Sequence, residues 1–215
     1  MEDDAPNPRE AGPRDTAKSR QTRARILDRA MKLIAERGYA AATNSAMAEA
    51  AGLTRGAMLY HFPTHEALLE ALVDHIQAER ASRFQTASDE LPPGADVTEH
   101  AIDAYWGLLH EPAFIAFAEL EAAARSVPVV ADRIAVAQAD YDRAQIGDHF
   151  LKMLHAGPGP RFQASRDLAR FMLEGLARAH LAYDEEGRVE RLLGVIKRAT
   201  HMLNRKGGIT DLWED

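Results

Sequence analysis

The hydrophobic positions near the start of the chain repeat with the period of a helix. Four apolar residues share one face at i, i+4, i+7 and i+8, namely Ile26, Ala30, Leu33 and Ile34. The arginines between them fall on other faces. Gly38 comes next, and glycine accepts the positive φ of a helix C-terminal cap. The pattern predicts an amphipathic helix from about residue 19 that ends at Gly38.

Two very short helices are predicted to follow, each introduced by a threonine. Thr43, or its neighbour Asn44, can cap the first of them, and Thr54 can cap the second. The second ends before Pro63, which cannot continue a helix. The inner face of the first helix consists of small or flexible residues, Met47, Ala48 and Ala51. Helix, short helix, four-residue turn and short helix is the spacing of a helix-turn-helix.

The remainder of the chain repeats the helical pattern between clear breaks. An apolar stripe after Pro63 predicts a long helix, and later segments predict helices at about 98–110, 112–125, 128–155, 163–183 and 187–204. The breaks lie at Pro112, Pro128, "AGPGP" and "DEEG". No segment has the alternation of a strand, so the predicted fold class is all-α.

Composition excludes several classes of function. The chain has no cysteine, which rules out disulfides, thiolate catalysis and cysteine-based metal centres. No apolar run approaches the ~20 residues that span a bilayer, so we expect no membrane association and a cytoplasmic location. A phosphate-binding glycine loop, a nucleophile elbow and a paired-carboxylate site are all missing from the sequence, which argues against an enzyme or a cofactor. His61 and His65 have the spacing of helical metal ligands, but Pro63 interrupts them, and we expect no metal.

The distribution of charge points to a polyanion at one end of the molecule. The net charge is −7, yet residues 16–63 hold eight basic and three acidic residues, a local net charge of +5. Residues 64–215 carry −9. A basic segment on an acidic body predicts nucleic-acid binding through that segment alone.

The motifs around this segment resemble those of a known family. "RILDRAMKLIAERGYAAAT", "MAEAAGLTRGAMLYHF" and "EALLEALV" occur in order within residues 20–73. They are similar to the DNA-binding domain of the TetR (tetracycline-repressor) family of bacterial regulators. The resemblance implies a homodimeric repressor with an N-terminal three-helix helix-turn-helix domain and a C-terminal helical domain for ligand binding and dimerisation. Its partners would be a double-stranded DNA operator and a small-molecule inducer.

Composition and helical pattern give the domain boundaries, and the resemblance adds DNA-contacting residues. The expected parts are a disordered arm (1–17), the helix-turn-helix domain (18–64) with a linking helix (65–86), the ligand-binding and dimerisation domain (87–205) and a tail (206–215). The expected DNA-binding residues are Thr43, Thr54, Arg55, Ala57, Tyr60, His61 and His65. The family often has tyrosine where this chain has Leu59 and lysine where it has His65. Arg23 and Arg25 are as well explained by a solvated helix face as by DNA contact.

Aromatic residues of the C-terminal helices suggest an apolar ligand cavity. Most such residues belong to a core, but a small inducer would bind between the helices. The candidates are Trp106, His110, Phe117, Glu119, Tyr141 and Phe171. Glu119 lies among apolar neighbours and would suit either a cationic ligand or a salt bridge to an arginine such as Arg125. The last two helices carry apolar residues on more than one face, which predicts a four-helix dimer interface.

Two other functions fit the sequence. One is a helical interaction protein, against which the basic helix-turn-helix segment stands. The other is a DNA-binding activator without a small-molecule ligand.

Overall fold

The structure is a computed structural model that describes residues 16–146, 160–180 and 187–204. Within these residues every regular element is helical, which confirms the all-α prediction. The α-helices are α1 (Ala17–Arg37), α2 (Asn44–Ala50), α3 (Arg55–His61), α4 (His65–Asp89), α5 (Val97–Leu108), α6 (Pro112–Ala124), α7 (Pro128–Ile146), α8 (Pro160–His180) and α9 (Arg188–Asn204). A 3-10 turn, Tyr39–Ala41, follows α1. Most of the predicted arm, the last residues of the predicted helix 128–155 and the tail lie outside the described residues.

The chain divides into two compact units whose boundary differs from the predicted one at residue 87. Among the described residues, the first unit contains those up to Arg80 together with Pro112–Ala139, and the second contains Ala81–Glu111 together with those from Asp140. The helix-turn-helix segment therefore shares its unit with α6 and the first part of α7. Sequence periodicity identifies these helices, but it does not say which of them pack on α1.

The first unit is built on the predicted apolar face of α1. Ile26, Ala30 and Ile34 are fully buried there. The inward residues of α4 are buried as well: Leu68, Leu69, Leu72, Val73 and Ile76. α6 lies along α1 and buries Phe114, Phe117 and Leu120. Burying a large apolar side chain contributes about 1.5–3 kcal/mol, so these residues form a core of the first unit.

Two glycines shape the turns on either side of α2. Gly38 ends α1 with φ 79° and ψ 161°, and its N–H donates to the carbonyl of Ile34 at 2.8 Å. Gly52 has φ 68° in the turn after α2. Such positive φ values are readily adopted by glycine alone. The two glycines therefore determine the backbone conformation at the end of α1 and in the turn between α2 and α3.

The second unit has a polar network among its helices. Tyr105 on α5 donates to Glu174 on α8 at 2.9 Å. Arg170 on α8 forms ion pairs with Glu174 and with Asp142 on α7. On the other side of α5, Lys197 of α9 contacts the Asp103 carboxylate at 2.6 Å. These pairs join α5, α7, α8 and α9 by contacts that periodicity does not predict.

Candidate nucleic-acid interface

Thr54 establishes the start of α3. Its hydroxyl accepts the N–H of Ala57 at 3.1 Å, which is the geometry of a side-chain N-cap. The predicted cap is therefore present. Thr43 does the same for α2, where its hydroxyl accepts the N–H of Ala46 at 3.2 Å. Both threonines are exposed. Replacing either by alanine should lower the stability of its helix by about 1 kcal/mol.

α3 presents one side to solvent and buries the other. Met58 is fully buried, whereas Arg55, Ala57 and Tyr60 are exposed, with 52% of Tyr60 accessible. Gly56, which no sequence pattern identifies as part of this surface, is exposed beside them and has nothing within 4 Å of the position of an added Cβ. A helix about 10–12 Å across with such a polar, low-relief side fits the major groove of DNA, which is about 12 Å wide.

The C-terminal end of α3 is held by a residue of α1. The guanidinium of Arg23 donates to the main-chain carbonyl of His61 and lies over the Phe62 ring, 4.1 Å from its centroid. Arg25, two residues further along, is exposed. The sequence allowed either a solvated helix face or DNA contact for both arginines. The structure distinguishes the two residues, because Arg23 has a partner within the protein.

His61 is half-buried rather than fully outward. Its ring meets Tyr60 edge-on at 5.4 Å, and its Nδ1 is buried without a hydrogen-bond partner among the described residues. Burial lowers the pKa of the His61 imidazole, and the positive charges of Arg23 and Arg25 lower it further. His61 is therefore neutral near pH 7 and adds no fixed charge to the exposed side of α3.

His65 contacts the first residue of α2. Its Nδ1 lies 2.7 Å from the side-chain oxygen of Asn44. The contact spans 21 residues and orients the imidazole, with Nδ1–H as the donor to the Asn44 oxygen. From the sequence, Asn44 is only an alternative cap for α2, and no local signal identifies this pairing.

The six ligand-binding candidates lie in two different units. Phe117 and Glu119 belong to the first, whereas Trp106, His110, Tyr141 and Phe171 belong to the second. Phe117 is buried beneath the guanidinium of Arg80, which is 3.8 Å from the ring centroid. A buried arginine over an aromatic ring is a feature that composition and periodicity did not indicate.

Glu119 has a role that neither sequence interpretation anticipated. Its carboxylate accepts the main-chain N–H of Tyr39 at 3.2 Å, just after the end of α1. The prediction offered a cationic ligand or an arginine, and the structure instead shows a main-chain amide. The two residues are 80 positions apart, so only the packing of α6 on α1 brings them together.

In the second unit the candidates differ in exposure. Tyr141 is almost fully buried and meets Phe84 edge-on, with 6.1 Å between the ring centroids. His110 is exposed and hydrogen-bonds the Trp106 carbonyl of the preceding turn at 2.8 Å. Phe171 is 57% exposed, and its assignment to a ligand pocket stays a prediction. It lies on the outward side of α8, where Arg170 covers one face of its ring.

Two further features of the described residues bear on the site. They contain no group of three or more His, Cys, Asp or Glu side chains that could hold a metal ion. Among them there is also no helix long and apolar enough to cross a membrane.

These helices define a helix-turn-helix protein with an exposed third helix. Residues 26–72 match the family model described as bacterial regulatory proteins, tetR family. The HTH-type transcriptional regulator TtgR of Pseudomonas putida is 35% identical over 82 residues, which cover 37% of this chain and 39% of TtgR. The segment 26–72 is therefore similar to the tetR family, and the matched relative TtgR is described as a transcriptional regulator.

Solved structures extend the likeness of the fold to most of the chain. A transcriptional regulator from Rhodococcus sp. Rha1 superposes with a TM-score of 0.64 at 18% identity, covering 84% of this chain and 95% of that one. The multidrug binding protein EbrR, solved in complex with proflavin, has a TM-score of 0.54 at 20% identity, covering 83% and 99%. The sequence similarity itself spans about two fifths of the length of TtgR.

Proposed function

We propose that the protein is a ligand-responsive transcriptional regulator that represses by binding an inverted-repeat operator as a homodimer. A small apolar molecule would release it from DNA. The observation that carries the proposal is the exposed side of α3. Arg55, Ala57 and Tyr60 are exposed to solvent there, whereas Met58 is buried on the opposite side of the helix. A regulator acting on a bacterial operator would work in the cytoplasm.

The predicted contacts follow from these positions. Arg55 can donate two hydrogen bonds to guanine in the major groove, and Ala57 leaves room for a base edge or a thymine methyl. Tyr60 and His61 would meet DNA near the end of α3, and Thr43 and His65 would meet the backbone. The local charge of +5 over residues 16–63 favours this end of the molecule for DNA.

The dimer is proposed to form through α8 and α9. Several large apolar side chains of these two helices are exposed in the single chain: Leu168, Phe171, Leu192, Val195 and Met202. Pairing α8 and α9 with their symmetry mates would cover these residues in a four-helix arrangement. Such a dimer places two copies of α3 on one DNA duplex, which would require an inverted repeat.

Ligand response is supported by the resemblance of the fold to EbrR and by the aromatic interior of the second unit. Tyr141, Phe84 and Phe162 lie there with the Tyr105–Glu174–Arg170 network. An apolar interior with a few polar groups is typical of small-molecule sites. Trp106 is half-buried on α5 and provides a fluorescent reporter.

DNA binding is tested by selecting duplexes from a random-sequence pool with the wild-type protein. We expect an inverted repeat and an affinity that falls steeply with salt, because each neutralised phosphate releases counterions. Arg55→Ala should cost about 1–3 kcal/mol on the selected duplex and relax the preference at one base pair. Arg125→Ala, at another exposed arginine, is the control and should bind like the wild type.

Failure to select any sequence, or binding that does not depend on salt, would refute the DNA-binding part of the proposal. Added protein should also lower transcription from a promoter that contains the selected site. An increase would favour the activator alternative.

Ligand binding is tested with Trp213→Phe protein, so that Trp106 is the only tryptophan. Proflavin should quench the Trp106 fluorescence. The titration is made without DNA, because planar dyes also insert into DNA. A compound that binds the second unit should weaken the affinity for the selected duplex. Tight binding of such a compound with unchanged affinity for DNA would contradict the ligand response.

A further inference from the structure

α3 is too short to maintain its own orientation. It has seven residues, and isolated helices of fewer than about 12–15 residues are marginal in water. Its direction must therefore come from contacts with its neighbours. Thr54 caps its beginning, and Met58 and Phe62 anchor its inner side in the core.

The contact at its end comes from Arg23 of α1. The last carbonyls of a helix lack intrahelical partners, and the carbonyl of His61 receives a hydrogen bond from the Arg23 guanidinium. The same guanidinium lies 4.1 Å from the centroid of the Phe62 ring. Its positive charge also meets the negative end of the helix dipole. One side chain thus binds two consecutive residues at the point where α3 ends.

We propose that Arg23 is a positioning residue for DNA recognition, which fixes the C-terminal end of α3 against α1. It would raise operator affinity by orienting Arg55 and Tyr60 and not by contacting a phosphate. This inference rests on the proposed DNA binding of α3.

Arg25 provides a matched comparison within the same helix. Residues i and i+2 do not face each other on a helix, so Arg23 and Arg25 point in different directions. Arg25 is exposed, whereas Arg23 is half-buried at α3. The two side chains have the same charge and length, but only Arg23 is bonded to α3.

Lysine should replace Arg23 only in part. The planar guanidinium can stack on the Phe62 ring while it donates to a carbonyl at its edge, and an ammonium group has no such plane. Retaining the charge without the plane therefore separates positioning from simple electrostatic attraction.

The experiment measures the affinity of each variant for two duplexes over a series of salt concentrations. The probes are the duplex that the wild type selects and a random-sequence duplex of the same length. Arg23→Gln should bind the selected duplex about tenfold more weakly or worse, an effect the size of losing one base contact. Its affinity for the random duplex should change little. Its salt slope should equal that of the wild type, and Arg23→Lys should fall between the two.

Arg25→Gln serves as the control for a charge that is not bonded to α3. If Arg25 meets a phosphate, this variant weakens binding to both duplexes alike and reduces the salt slope by about 0.9. The same behaviour in Arg23→Gln, or full restoration by Arg23→Lys, would overturn the positioning role. Wild-type affinity in Arg23→Gln would overturn it too.

Hydrogen exchange of the DNA-free protein gives a readout that does not depend on operator binding. Arg23→Gln should accelerate exchange of the amides at the end of α3, residues 59–62, and Arg25→Gln should leave them unchanged. Unchanged exchange in Arg23→Gln would refute the positioning role of Arg23, whatever the result of the DNA selection. Failure of the wild type to select any duplex would refute the proposed function separately. If Arg23→Gln does not fold, the same affinity and exchange measurements are made on Arg23→Lys. Wild-type affinity or unchanged exchange in that variant would then overturn the positioning role.

Discussion

Replacing Gly38 by alanine should destabilise the protein through the main chain at the end of α1. Gly38 combines φ 79° with ψ 161°, a conformation that is essentially restricted to glycine. An added Cβ would also lie 3.2 Å from Oε2 of Glu119, the oxygen that accepts the Tyr39 N–H. The substitution therefore strains the backbone and disturbs the hydrogen bond between α6 and the residue after α1.

The magnitude follows from two opposing effects. A residue held in such a conformation costs about 1–3 kcal/mol. Alanine restricts the unfolded chain more than glycine does, which returns about 0.4–1 kcal/mol. Displacing the Glu119 carboxylate adds a further loss, so we expect the free energy of unfolding to decrease by about 2 kcal/mol. For a chain of this length that corresponds to a decrease in Tm of about 4–8 °C.

The assay is thermal and urea unfolding followed by circular dichroism at one fixed protein concentration. Gly107→Ala is the matched control, because Gly107 is exposed in the last turn of α5 and a Cβ there meets nothing within 4 Å. Alanine is favoured in a helix, so this variant should be stabilised by about 0.5 kcal/mol. Opposite signs for the same chemical change are the expected result. Wild-type or higher stability in Gly38→Ala would refute the assignment of strain at the end of α1.

Three further predictions test other contacts, two of them with a matched control substitution. Glu119→Ala should lower the free energy of unfolding by about 1–2 kcal/mol, since it removes a hydrogen bond to a charged group, whereas Glu70→Ala at an exposed position of α4 should be neutral in urea titrations. Because the pKa of His61 is lowered in the folded state, the unfolded chain binds the proton more readily, and stability should fall as the pH drops below about 6.5. His61→Gln should flatten this acid dependence of the Tm, and an unchanged profile would contradict the shift. Val195→Asp should produce folded monomers by sedimentation because Val195 is 50% exposed, whereas Ile196→Asp should unfold the chain because Ile196 is 5% exposed.

Local sequence signals predicted the fold of the first three helices well. The apolar face of α1, the caps at Thr43 and Thr54 and the glycine at the end of α1 all depend on residues within one helical turn of each other. Such local rules are visible in one sequence. The same local geometry occurs at the start of α4, where the Thr64 hydroxyl accepts the Ala67 N–H at 3.0 Å.

Tertiary contacts of the site were beyond the reach of the same rules. Arg23 meets His61 across 38 residues, and Glu119 meets Tyr39 across 80. Nothing in the local pattern distinguishes Arg23 from Arg25, or Phe117, which is buried, from Phe171, which is exposed. The prediction of six ligand-binding residues therefore combined side chains of two different units.

The position of Glu119 has a practical consequence for building chimeric regulators. The simplest chimera would cut the chain within the linking helix α4 and keep only the residues before the cut. Here a junction within α4 would discard α6, and with it the acceptor of the Tyr39 amide and the apolar surface that covers α1. A graft that keeps the packing of the helix-turn-helix segment intact would need to carry Pro112–Ala139 as a second, discontinuous piece.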